Sequence, residues 1–156
     1  MNDKTGIHPT LQSIPFLLDL SPAQMKKLED ISGLRYLGSG EILYQEGDND
    51  NLIFIVSEGC LSVEILVPGH GQVCIYYAEP LDIIGWDRLT PVARQRISSI
   101  TAVKNSNLIY FDATALSELC REDTNLGYIF MQRLTNVITS RMLSMRIKLL
   151  DLIVEK

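Results

Sequence analysis

The sequence predicts a mainly β fold with flanking helices: a double-stranded β-helix, that is a jelly-roll-like β-roll, closed by a long C-terminal helix. Three observations carry that reading. Residues 34–111 follow a hydrophobic period of two, with β-branched and aromatic runs separated by turn residues. The punctuation is dense: Gly38-Ser39-Gly40, Glu46-Gly47-Asp48-Asn49-Asp50, Glu58-Gly59 and Pro68-Gly69-His70-Gly71 each fall between apolar segments. Short strands at such close spacing suggest a roll or barrel. After residue 112 the period becomes helical and stays so nearly to the end.

Residues 10–32 supply the N-terminal helices. Residues 10–20 form a short apolar helix or turn interrupted by Pro15. Ser21 then serves as N-cap of a second helix, Pro22 suits its first position, and Gln24 completes a capping box. That helix is expected to run to about Ile31 and stop at Gly33. Within the roll, residues 53–56, 61–67 and 73–77 are separate strands, and residues 61–65 alternate as a strand with one wet face.

Residues 112–155 supply the C-terminal helices. Asp112 and Thr114 can cap a short helix through Cys120, and Asp123 or Thr124 can cap a final one running nearly to Lys156. About 30 residues at 1.5 Å per residue span roughly 45 Å, too long to lie wholly on one small roll. One apolar stripe holds Leu134, Ile138, Met142, Met145, Leu149 and Leu152; a second holds Leu143, Ile147, Leu150 and Val154. Two stripes imply two partners. One is expected on the roll and the other on the same helix of a second subunit, giving a parallel homodimer; the alternative buries both in one protomer.

At 156 residues the chain fits a single domain, 1–156, and 46% hydrophobic with 21% charged residues is an ordinary globular composition. A net charge of −5 argues against direct DNA binding, which runs on clustered Lys and Arg. No apolar run is long enough to span a bilayer, and Met1-Asn2-Asp3-Lys4 does not open a signal peptide, so no membrane contact and a cytoplasmic location are expected. Cys60, Cys74 and Cys120 are odd in number and scattered, which reads as buried thiols. His8 and His70 are the only histidines, so no metal site and no required cofactor are expected. The absence of a Ser/His/Asp set, a Cys/His pair or a carboxylate pair at useful spacing argues against an enzyme.

The order of helix, glycine-punctuated strands, short helix and long helix resembles the cyclic-nucleotide-binding domain family, in particular the sensor domains of Crp/Fnr-type regulators. The residues that carry the resemblance are Gly38-Ser39-Gly40-Glu41-Ile42-Leu43-Tyr44-Gln45-Glu46-Gly47-Asp48 and Leu52-Ile53-Phe54-Ile55-Val56-Ser57-Glu58-Gly59-Cys60-Leu61-Ser62-Val63. It extends over about residues 14–156. The resemblance implies a phosphate-binding cassette, namely a Gly, an acid for the ribose, exposed amides, then an Arg for the phosphate and a small hydroxyl residue. Here residues 84–99 stand in that place, and Gly85 and Arg96 fall on the family Gly and Arg.

Two cassette positions depart. Trp86 stands where the acid belongs, and its indole only donates; Ile97 stands where the hydroxyl belongs. A one-residue slip would bring in Asp87 and Ser98 instead. On the last helix, where the resemblance implies a hydroxyl against the base, Met145 appears, with Met142 beside it as a second lid residue. Arg88, Arg94 and Arg96 still make the segment basic against Asp87. Three readings stay open: Trp86 fills a disused pocket; a different small anionic effector, aromatic or phosphorylated, stacks on Trp86 and pairs with Arg96; or a cyclic nucleotide binds. Arg96→Ala should abolish anion binding in a live cassette, and leave stability nearly unchanged if the cassette is only a surface loop.

The resulting expectation is a stand-alone effector sensor or signalling adaptor, acting through its final helix on an unknown protein partner. The helix-turn-helix that the resemblance would place after residue 156 has no counterpart in the sequence. The alternative is the sensor domain of a Crp/Fnr-type transcription regulator that binds a cyclic nucleotide.

Overall fold

A computed structural model describes residues 6–155. The expectation for Met1 to Lys4 lies outside the described residues. The chain runs α1 (Ile7–Gln12), a 3₁₀ turn (Pro15–Leu17), α2 (Pro22–Asp30), β1 (Ser32–Leu37), β2 (Ile42–Tyr44), β3 (Leu52–Val67), β4 (Gly71–Ala78) and β5 (Ile83–Ile84). A second 3₁₀ turn (Trp86–Leu89), β6 (Ser99–Asp112), α3 (Ala113–Glu122) and α4 (Thr124–Val154) complete it.

Local chemistry sets the helix boundaries. Pro15 ends the first helical segment and opens the 3₁₀ turn. Ser21 accepts from the Gln24 amide at 3.2 Å while Gln24 Oε1 accepts from the Ser21 amide at 2.8 Å, a complete capping box. Asp112 caps α3 through the Ala115 amide (2.8 Å) and Asp123 caps α4 through the Leu126 amide (3.1 Å), so carboxylates rather than Thr114 and Thr124 take these positions. Gly33 does not stop α2. The helix ends at Asp30 and Gly33 lies inside β1, opposite Tyr110, where a Cβ would sit 2.4 Å from the Tyr110 ring.

The six strands form one antiparallel sheet in the order β1-β6-β3-β4, with β2 paired to β6 and β5 to β3. Bent strands β3 and β6 pair from Leu52↔Asp112 to Glu64↔Ser99 and give the sheet its roll. The two segments expected at 53–56 and 61–67 are one strand, and Glu58-Gly59 is an irregularity within it rather than a turn. Gly59 has φ +105°, and a Cβ there would lie 2.6 Å from the Ser106 backbone. Gly59→Ala is therefore expected to destabilise by about 2 kcal/mol or more, measured by urea unfolding.

Two apolar layers flank β3, β5 and β6. Ile53, Ile55, Ile83, Ile109 and Phe111 pack with the helices, burying Leu28, Leu116 and Phe130, while Phe54, Val56, Ile84 and Leu108 fill the roll interior. Alternate residues thus serve different cores, and residues 53–56 read as a continuous apolar run. Residues 61–65 do not keep one wet face either, because Ser62 is buried and its hydroxyl bonds Glu64 (2.8 Å).

Along α4 the division runs by length and not by face. Leu126, Phe130, Leu134 and Val137 are buried against the helices and roll, whereas Met142, Leu143, Ile147, Leu149, Leu150 and Leu152 of both stripes are at least half exposed in this single protomer. Cys60, Cys74 and Cys120 are free thiols and only half-buried, not core thiols. Among the described residues no helix is long and apolar enough to cross a membrane, and no group of three or more His, Cys, Asp or Glu could hold a metal ion.

Candidate functional site

The segment from β5 to β6 is built around one buried arginine. Gly85, at φ +77°, turns the chain out of β5 into the 3₁₀ turn that carries Trp86 and Asp87. The loop 47–50 and the cassette clasp each other through the backbone, Gly47 N to Arg96 O at 2.9 Å and Arg96 N to Asp48 O at 2.8 Å. The clasp draws Arg96 inside, to 1% exposure.

A guanidinium has five N–H donors, and all five are engaged. Nε donates to Asp50 Oδ1 (2.9 Å), Nη1 to Asp87 Oδ1 (2.9 Å) and to the Gly85 carbonyl (3.2 Å), and Nη2 to Asp50 Oδ2 and the Leu52 carbonyl. Tyr44 lies under the guanidinium plane, 3.9 Å from ring centre to Cζ. Asp87 accepts a further bond from the Ile97 amide (3.1 Å). Arg88 gives its Nη groups to the Ala93 and Arg94 carbonyls, and its Nε, without a hydrogen-bond partner, lies 3.9 Å from Asp87 Oδ1.

Partial burial works against ionisation of Asp50, but the hydrogen bond and charge of Arg96 outweigh it and hold its carboxyl below the usual range. The Asp50 contribution to stability is thus fully present above the unfolded value near 3.9 and is lost as pH falls through the lower folded value. The melting temperature is expected to be flat from about pH 7 to 5 and to fall below about pH 4, with Asp50→Asn blunting that fall.

Beside this cluster, inside the roll, is a cavity of about 270 Å³. Its wall is mainly apolar, with Val63, Ile65, Ile75, Ile84, Ile100 and Met145. Its polar members include Tyr44, Tyr76, Asp87 and Ser98. Burial pushes the Tyr44 phenol well above its ordinary value and the Tyr76 phenol upward as well, so both stay neutral donors.

Of the residues singled out from sequence, Gly85, Trp86, Asp87, Ile97, Ser98 and Met145 line this cavity. Arg96 sits behind the wall and is turned into the Asp50–Asp87 cluster. Arg94 is solvent-exposed and Met142 is 64% exposed; neither reaches the cavity. Arg96 is therefore a core residue and not part of a surface loop, which corrects the expectation of a nearly neutral Arg96→Ala.

The sequence reading missed Asp50, Tyr44 and the groups that tie α4 over the cavity. Arg133 Nη2 donates to the Leu81 carbonyl (3.1 Å), Arg141 pairs with Asp82 and covers the Tyr76 ring at 4.5 Å, and Lys148 Nζ donates to the Ile75 carbonyl. Leu81 is the one non-glycine residue at positive φ (+76°) among the described residues, in the turn that leads into β5 and the cassette. Such a conformation costs on the order of 1–3 kcal/mol and persists only when its surroundings hold it.

The sequence profile of the family described as cyclic nucleotide-binding domain matches residues 34–123. Among solved structures, a cyclic nucleotide-binding domain from Methylobacillus flagellatus is 20% identical, with a TM-score of 0.75 over 95% of this chain and 83% of that one. The sensor domain of the transcriptional regulator DNR from Pseudomonas aeruginosa is 20% identical, with a TM-score of 0.71 over 91% of this chain and 95% of that one. The c-di-GMP-responsive global regulator CLP from Xanthomonas campestris is 13% identical, with a TM-score of 0.73 over 82% of this chain and 62% of that one. No curated protein matches the sequence. With the profile match over more than half its length, and with its β-roll, cassette and long last helix, the chain belongs to the cyclic nucleotide-binding domain family.

Proposed function

We propose that this chain is an effector-sensing module in which a small molecule enters the roll cavity and α4 carries its presence to a second copy of the chain. One observation carries the reading: Met145 lines the cavity from α4. Arg141 and Lys148, four residues before it and three after, share its helix face and tie that face to the 79–82 turn and to β4. A ligand touching Met145 thus acts on the helix and on the strained turn together, which is how a two-state element is biased from a site. The helices and roll act as one unit over 1–156, supported by the apolar layer they share.

The module is no enzyme in this reading. Its acidic balance supports no direct DNA contact by these residues, and the protein that receives its signal is unidentified. The cassette does not retain cyclic nucleotides, because every Arg96 donor already has a protein acceptor.

Thermal melting tests this. Ligand at a hundred times its Kd stabilises by about 2.7 kcal/mol, about 5–10 °C for a chain of this size. Neither cyclic AMP nor cyclic GMP at millimolar concentration is expected to shift the melt. Trp86→Glu is expected to gain nothing, since a new acid does not free Arg96. The cyclic nucleotide-binding domain match, with similarity to the sensor domain of the transcriptional regulator DNR, supports a second reading, a nucleotide-binding sensor domain of a Crp/Fnr-type regulator. A melting shift with either nucleotide would establish that reading and remove the first.

A further inference from the structure

The charges around the cavity are balanced without a ligand. Arg88 and Arg96 face Asp50 and Asp87 in one cluster, two cations against two carboxylates. Arg88 is not part of the cavity wall. The cations on α4 are engaged too, Arg141 with Asp82 and Lys148 with the Ile75 carbonyl, and Arg94 faces solvent. An entering phosphate would bring unpaired negative charge beside Asp87 and against a wall of Val63, Ile65, Ile75, Ile84 and Ile100. A buried charge without a partner is strongly disfavoured. What the wall does offer is apolar surface, the Trp86 indole, and the neutral hydroxyls of Tyr44, Tyr76 and Ser98.

We infer that the cavity takes an uncharged, largely apolar molecule with an aromatic or branched hydrocarbon body and few hydrogen-bonding groups. The volume, about 270 Å³, sits near the low end of small-molecule sites. The inference rests on the reading of this cavity as an effector site. It narrows that site to ligands that stack on or pack against Trp86 and use hydroxyl donors, with no ion pair to Arg96.

The chain contains a single tryptophan, and it lines the cavity, so Trp86 emission reports on occupancy. The test is a titration of the intact protein with N-phenyl-1-naphthylamine, which is uncharged, and with its sulfonated analogue 8-anilinonaphthalene-1-sulfonate. Cyclic AMP serves as the third probe. Quenching of Trp86 with sensitised probe emission is expected for the uncharged compound, at least about tenfold tighter than for the sulfonate, with no effect of cyclic AMP. Ile97→Phe, at a wall residue that is 49% exposed and tolerant of replacement, is expected to weaken the uncharged probe at least about fivefold. Met145→Arg, which adds a free cation to the wall, is expected to reverse the preference toward the sulfonate. Tighter binding of the sulfonate by the unmodified protein overturns the uncharged-ligand inference and leaves the sensor reading standing, whereas tighter binding of cyclic AMP overturns both in favour of the nucleotide-binding reading. Probe binding insensitive to Ile97→Phe also overturns it, by placing the probe elsewhere. Quenching by none of the three probes overturns both.

Discussion

Arg96→Ala is expected to lower the stability of the protein by about 3–5 kcal/mol, the cost of removing one partner from a buried ion pair. At this chain length that is a fall of roughly 6–20 °C in melting temperature. The side chain is wholly buried and binds two carboxylates and two backbone carbonyls. Its loss leaves Asp87, 5% exposed, with only the Ile97 amide and the distant Arg88 Nε. It also removes the side-chain ties from the cassette to Asp50 and to the Leu52 carbonyl of β3, leaving only the backbone clasp to the 47–50 loop. Arg96→Lys is expected to recover little, because an ammonium has three donors and cannot reproduce a planar five-donor fork. Calorimetry of the two variants checks this, and a loss under about 1 kcal/mol would mean that the cluster does not hold the fold.

The second large effect concerns oligomeric state. In the proposed dimer the seam is formed by Leu143, Ile147, Leu150 and Val154, each at least half exposed in the protomer. They recur at intervals of four, three and four residues along one face of α4. Leu143→Lys with Ile147→Lys removes four apolar side chains from a two-fold seam and opposes like charges across it. At about 1.5–3 kcal/mol per buried side chain, the dimer should weaken at least about a thousandfold. Light scattering at micromolar concentration should then fall from twice the chain mass to 17.6 kDa, with the melt of the roll unchanged. A monomeric unmodified protein would remove the seam.

Features that depend on neighbours in sequence were legible before the structure. The Ser21/Gln24 capping box and the caps at Asp112 and Asp123 are set within three residues of chain. Gly59 misled for the same reason: a glycine at positive φ looks alike in a turn and in a bulge, and only pairing of β3 with β6 distinguishes them. The role of Arg96 was hidden because its partner Asp50 lies 46 residues away and is brought in by the Gly47 to Asp48 clasp. The division of α4 was hidden because apolar spacing reports a face and cannot report where the roll ends beneath the helix.

Whether α4 reads the cavity is settled by amide hydrogen exchange along residues 139–152, with and without saturating N-phenyl-1-naphthylamine, using Trp86 quenching to confirm occupancy. Contact with Met145 adds buried apolar surface between helix and roll, so exchange through this half of α4 should slow while that of α2 stays constant. Unchanged exchange in α4 with Trp86 reporting a filled cavity would contradict the account.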